Sequence, residues 1–221
     1  QMDSLYFTTQ NISSLRFNGS NAYINLGVSP DLMPNTTYPL TISWKYKRIS
    51  VNGTDDFFKL GNYLMTAHYT GGYLRFHGNT NTWMDYPVDL DTVPGWVDFT
   101  IVIDRSINPN TQLYMNGVLV KSQELNYSGT TIGSIPSAVF TIGGSPVGNN
   151  GSMDKFMIFN TALDSQQIQD YMNCSPSADD PQLLRYWNFD EGVGDTIHDI
   201  IPGSTNHGTM VGNVDWTNDV D

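Results

Sequence analysis

Glu124 and Glu191 are the only glutamates among 22 acidic residues; every other acid is an aspartate. Retaining hydrolysis of a glycosidic bond needs two carboxylates about 5–5.5 Å apart. Glu124 follows a hairpin strand and Glu191 sits in a Gly-rich turn, so neither belongs to a paired-carboxylate motif. The four histidines are scattered, and no nucleophile elbow, P-loop or His/Cys metal cluster occurs. Ligand stacking is better provided for. Trp83 lies in the stretch from His77 to Tyr86, which reads as a polar loop with no need to bury an indole. Tyr69, Tyr73, Arg75, Asp85 and Tyr86 are close to it in sequence. An exposed aromatic ring flanked by hydrogen-bonding groups can stack on a pyranose and hold its hydroxyls. These six residues form the candidate ligand patch.

The elements that must position this patch read as strands. Ser14 to Phe17 ends at Asn18-Gly19, and Ala22 to Leu26 ends at Gly27. Leu40 to Lys47 alternates, with Leu40, Ile42, Trp44 and Tyr46 on one face. Phe57 to Leu60 and Tyr73 to His77 follow, and the run from Trp96 to Ile103 suggests a central strand. Gln112 to Met115, Asn116-Gly117 and Val118 to Val120 make the clearest hairpin, because Asn-Gly accepts the positive φ angles of a tight turn. Val139 to Ile142 and Met153 to Phe159 complete the series. One segment, Leu163 to Met172, has helical spacing and can be capped by Asp164 or Ser165. No βαβ alternation appears, so the pattern predicts an all-β, two-sheet antiparallel sandwich with one short helix. Residues 174–182 read as a linker, and 183–221 contain further strands around Trp187 and Trp216.

Composition narrows the partners. With ten basic residues the net charge is -12, which disfavours duplex nucleic acid and anionic membranes. No apolar run is long enough to span a bilayer. One cysteine, Cys174, excludes an internal disulfide. The opening residues show no signal-peptide pattern, so the chain reads as a piece of a longer protein. Glycosylation sequons at Asn11, Asn18, Asn35, Asn52, Asn126 and Asn150 would matter only in a eukaryotic host.

Three segments resemble the laminin G-like branch of the concanavalin A-like lectin/glucanase superfamily. Leu15-Arg16-Phe17-Asn18-Gly19-Ser20-Asn21-Ala22-Tyr23-Ile24 resembles its opening strand pair. Leu113-Tyr114-Met115-Asn116-Gly117 resembles its hairpin, and Gly151 to Leu163 resembles its strand before the short helix. Tyr186-Trp187-Asn188-Phe189-Asp190-Glu191-Gly192, with Asn206-His207-Gly208-Thr209, resembles an element that normally precedes the opening strand. The tail either completes this sandwich, making 1–221 one domain, or begins a second repeat. The order of segments is similar to modules of secreted proteins of Bacteroidota.

The resemblance implies a concanavalin A-like jelly roll, with Trp44 and Trp96 in its core. It also implies a structural calcium ion on Asp154 and on the turn carbonyls near Gly19 and Asn21. The alternative for Asp154 is a hydrogen bond to a neighbouring turn, and Asn18 and Asn21 replace acids common in the family. Polysaccharide lyases on similar folds cluster Tyr, His, Arg and Gln, a pattern that His68, Tyr69, Arg75 and His77 do not follow. The expected function is an extracellular, non-catalytic module that binds a glycan or polysaccharide within a larger secreted or surface protein. A surface-protein interaction or spacer role is the second reading, and a divergent polysaccharide-degrading enzyme the third.

Overall fold

The computed structural model describes residues 11–29, 32, 39–49, 53–61, 64–69, 71–79, 82–127, 139–144 and 149–220. The expected sequons at Asn35 and Asn52, and Thr80 and Asn81 of the expected loop, lie outside these residues. Two antiparallel sheets face each other, as the alternation predicts.

The first sheet contains β1 (Ser14–Gly19), β3 (Leu40–Arg48), β8 (Val97–Ile103), β9 (Thr111–Met115), β10 (Val118–Gln123), β12 (Asn149–Phe159), β13 (Leu183–Trp187) and β16 (Val214–Thr217). Its order is β10-β9-β8-β3-β12-β1-β16. β12 is long enough to take two partners on one edge. Asn149 to Met153 pair with β1, and Phe156 to Phe159 pair with β13. The second sheet contains β2 (Tyr23–Val28), β4 (Asp55–Leu60), β5 (Leu64–Tyr69), β6 (Tyr73–Asn79), β7 (Thr82–Pro87), β11 (Val139–Gly143), β14 (Thr196–Ile197) and β15 (Gly208–Val211). Its order is β14-β15-β2-β11-β4-β5-β6-β7. The tail strands are distributed over both sheets. β13 and β16 sit in the first, on β12 and β1, and β15 sits on β2 in the second.

Aromatic rings fill the space between the sheets. Trp44 is fully buried and lies 5.4–6.4 Å from the ring centroids of Phe57, Phe58, Phe99 and Phe156. Trp187 and Phe189 of the tail are also buried, Trp187 against Phe140 and Phe156. Such pairs add stabilisation beyond the area they bury. Trp96 departs from the expected core placement. It precedes β8, is only half-buried, and carries the Lys47 ammonium 5.9 Å from its ring. The residue that takes the core role on β8 is Phe99, because the strand's alternation begins at Val97.

Gly151 of β12 is required by close approach. A Cβ there would stand 2.2 Å from the Tyr46 hydroxyl, which donates to Asn149 Oδ1 at 3.0 Å. The helix α1 (Ser165–Asn173) begins at Asp164, whose carboxylate accepts from the Gln167 N–H while the Gln167 side chain accepts from the Asp164 N–H. This capping box satisfies orphan donors of the first turn. α1 presents Ile168 to Val102, Met157, Phe159 and Leu163, covering the outer face of the first sheet. The candidate patch lies on the second sheet.

Candidate functional site: an arginine-centred aromatic patch

Strand period places the patch. Leu74 and Phe76 of β6 and Met84 of β7 are buried in the core, so Tyr73, Arg75, His77, Trp83 and Asp85 point to the outer face. The register sets Ala67 opposite Arg75 opposite Asp85, with Asp56 of β4 opposite Ala67. Tyr69 and Tyr73 form the row on one side, and His77 and Trp83 the row on the other. Trp83 is therefore on a strand, not in the expected loop, and it is 42% exposed. Tyr86 follows the opposite phase. It pairs with Leu74 and packs against the core, so it does not join the outer patch.

Arg75 is the hub. Its Nε and Nη2 donate to the two Asp85 carboxylate oxygens at 2.6 and 2.7 Å, a bidentate fork. Its guanidinium carbon lies 5.3 Å from the Tyr69 ring, 5.2 Å from Tyr73 and 4.7 Å from Trp83. Tyr69 and Tyr73 stack on each other at 5.1 Å, and His77 is 5.9 Å from Trp83. The Asp85 hydrogen bonds hold the guanidinium charged, and cation–π attraction fixes three rings around it. The result is a rigid outward surface of aromatic faces and hydrogen-bonding groups. Asp56, at the end of the same transverse row, is buried, and burial raises its carboxyl to about 6.

The residues expected to hold calcium are not brought together. Gly19 pairs with Asn149, whereas Asp154 lies beyond the Leu15–Met153 pair at the other end of β1. Five strand residues separate the two levels, about 16 Å. The carboxylate of Asp154 is buried where β1 gives way to β13, and its Oδ2 accepts from Asn11 Nδ2 at 2.7 Å. Burial raises its carboxyl to about 6, against the pull of Asn11 and of the Lys45 and Lys155 ammonium groups. Hydrogen-bond donors and cations are the wrong neighbours for a divalent-cation ligand. At the other end, the Asn18 side chain accepts from Arg16 and donates to Asp215, and the Asn21 carbonyl packs on Gly212. Asn21 contributes the turn geometry instead, with φ at 60°. Among the described residues, no three His, Cys, Asp or Glu side chains are placed to hold one metal ion.

The family model of the concanavalin A-like lectin/glucanases superfamily, in its laminin G form, matches residues 18–169. The chain belongs to this laminin G-like family. Solved structures agree on the fold. A candidate carbohydrate-binding protein from Bacteroides ovatus superposes with a TM-score of 0.65 at 15% identity, over 94% of this chain and 60% of that one. A Trypanosoma rangeli sialidase superposes with a TM-score of 0.54 at 16% identity, over 72% of this chain and 27% of that one. A heptameric SAP-like pentraxin from Limulus polyphemus gives 0.52 at 14% identity, over 78% and 85%. The chain thus spans about 60% of the Bacteroides protein and about a quarter of the sialidase. No curated protein matches the sequence.

Three features of this laminin G-like domain escape the sequence reading. The first is an open polar cleft of 430 Å³ beside β7, lined by Thr82, Arg105, Asn110, Glu124, Asn126 and Tyr127. Its glutamate is an anchor, since the Asn110 N–H and Nδ2 occupy both Glu124 oxygens at 3.0 and 2.9 Å. The second is a buried polar network between the sheets. Arg48 pairs with Asp55 and Asp91 and donates to His68 Nδ1 at 2.9 Å. Because arginine can only donate, His68 Nδ1 accepts, and its Nε2–H donates to the Val88 carbonyl at 3.0 Å. Burial lowers the His68 pKa and keeps the ring neutral. The third is the contact of His77 with Trp83; in the sequence His77 was weighed only against a lyase pattern and left out of the patch. The signal for His77 was its even spacing from Tyr73 and Arg75.

Proposed function

We propose that this domain is a non-catalytic carbohydrate-binding module of an extracellular protein, and that Trp83, Arg75, Asp85, Tyr69 and Tyr73 form its binding surface. The observation that carries the reading is the exposed Trp83 ring, held rigid on a strand by Arg75, which Asp85 grips in a bidentate fork. Two rigid elements, β6 and β7, fix the stacking face before ligand arrives, so little ordering entropy is lost on binding. Tyr86, turned into the core, is excluded from the surface. A non-catalytic role is supported by Glu124, whose two oxygens are both committed to Asn110. The Bacteroides ovatus and sialidase resemblances are consistent with glycan-related biology on this fold. Integration of residues 183–221 into one domain belongs to the same proposal, supported by the pairing of β13 and β16 with β12 and β1.

A glycan array with the intact chain and Trp83→Ala tests the reading. The expected result is binding to at least one oligosaccharide, weakened about tenfold or more in the variant. Equal binding by both proteins would move the site elsewhere. Absence of binding across a broad array would favour the interaction or spacer role.

A further inference from the structure

Resting on the glycan reading above, we propose that the β5–β7 face selects neutral pyranosides against anionic ones, and that Asp85 is the residue that sets this preference. An anionic sugar, whether a uronate, a sialoside or a sulfated unit, is recognised by an arginine fork with unused donors. Among the described residues, the guanidinium on this face is that of Arg75, and its Nε/Nη2 edge is occupied by Asp85 at 2.6 and 2.7 Å, which leaves the Nη1/Nη2 edge already neutralised by a carboxylate. A ligand carboxylate would either displace Asp85 from its edge or take the Nη1/Nη2 edge of the same guanidinium, and in both cases it would sit close to the Asp85 carboxylate on the same strand pair. Like charges placed together in this way discriminate by repulsion.

The remaining charges on the face reinforce the bias. The transverse row across β4 to β7 reads Asp56, Ala67, Arg75, Asp85, which is two carboxyls to one guanidinium. Asp89 lies beside Gly72 at the Tyr73 end. The nearest ammonium on the same face, Lys59, shares the register row of Trp83 but sits on β4, three strands away, about 14 Å. The field of the whole chain, at net charge -12, opposes polyanions further. A neutral sugar meets none of these costs. Its apolar ring face stacks on Trp83, and its hydroxyls meet an ion pair that offers acceptor lone pairs on Asp85 together with the N–H groups on Arg75 Nη1.

The test is calorimetric titration of the intact chain, Trp83→Ala, Asp85→Asn and Asp85→Ser. The probes are neutral hexaoses of glucose, xylose and mannose, with oligogalacturonate and sialyllactose as the anionic arm. The expected result is wild-type binding to a neutral probe at least about tenfold tighter than to either anionic probe. That binding should change less than about twofold between roughly 50 and 500 mM NaCl, because no ion pair with the ligand is involved. Both Asp85 variants, which release Arg75 from its carboxylate, should gain about fivefold or more for oligogalacturonate. Whichever Asp85 variant keeps the wild-type melting temperature supplies the reading. Tighter wild-type binding of an anionic probe, lost in Trp83→Ala, would overturn the preference and leave the glycan site standing. An unchanged neutral-to-anionic ratio in both Asp85 variants would overturn the role of Asp85. If no probe of either arm binds the wild type, the glycan reading itself fails.

Discussion

Asp154→Asn should make the protein more stable at neutral pH and leave it unchanged in acid. The carboxyl of Asp154 is 3% exposed, and burial raises it from 3.8 to about 6 in the folded chain. A folded-state pKa above the unfolded one means that the fold binds the proton more tightly. Stability from this group is therefore fully present below about pH 4 and is lost as pH rises through about 6. A shift of about two units corresponds to about 3 kcal/mol at pH 7, as an upper bound. Asparagine removes the buried charge and keeps an oxygen that can accept from Asn11 Nδ2. At about 2–4 °C per kcal/mol for a chain of this size, the variant should melt several degrees and at most about 10 °C higher at pH 7. The gain should vanish near pH 4, where the wild-type carboxyl is already neutral. Differential scanning fluorimetry across pH 4–8, in EDTA and in millimolar calcium, reads this directly. A variant less stable than wild type at pH 7 in EDTA would show that the ionised carboxylate stabilises the fold through Lys45 and Lys155. A calcium-dependent rise in the wild type that Asp154→Asn abolishes would make Asp154 a metal ligand, against the geometry.

Further outcomes follow from the packing and from the charged network. Trp44→Ala, which opens a cavity among four rings, should cost about 3–5 kcal/mol, measured by urea unfolding. Removing residues 183–221 strips β12, β1 and β2 of partners, so the truncated chain should aggregate in size-exclusion chromatography; a monomer with an unchanged melting temperature would make the tail a separate unit. His68, held neutral by burial, contributes stability that is present above the ordinary imidazole range and lost as pH falls through it. His68→Gln should therefore flatten the acid limb of the melting-temperature profile below about pH 6.5.

The fold was legible because its signals are local. Alternation in Leu40–Tyr46, the Asn116-Gly117 turn and the capping residues of α1 each act within a few residues, and each element formed where its pattern stands. The aromatic patch of β5 to β7 was legible in part, Tyr86 being turned inward and His77 added, but its placement on strands was not. Reading His77 to Tyr86 as a loop left no phase, and without phase Tyr86 and Trp83 look equivalent. On a strand, odd and even positions separate, and Tyr86 turns inward with Met84. The distance between Asp154 and Gly19 was hidden for a different reason. The resemblance joined Asp154 to Gly19 through a motif, whereas the antiparallel register of β1 on β12 carries those two residues to opposite ends of one ladder. The buried network was invisible because Arg48, Asp55, His68 and Asp91 lie on different elements and meet only when the two sheets close.

The two outer faces of the sandwich differ in what the sequence spends on them. On the first sheet, Val102, Tyr114, Met157 and Phe159 are apolar and outward, and they are buried by α1 and by Leu183 and Tyr186 of the tail. That face is a second core. On the second sheet, the outward positions of β5 to β7 include tyrosine, arginine, histidine, tryptophan and aspartate beside Ala67, and Trp83 stays 42% exposed. A purely structural outer face would not require a tryptophan there, since an exposed indole adds little to folding that Arg75 and Asp85 do not already supply through their fork. Its ring is held in place by the guanidinium and left open to solvent. That combination of fixed orientation and retained exposure is what a stacking platform needs, and it makes Trp83→Ala the variant in which loss of binding and loss of stability should separate.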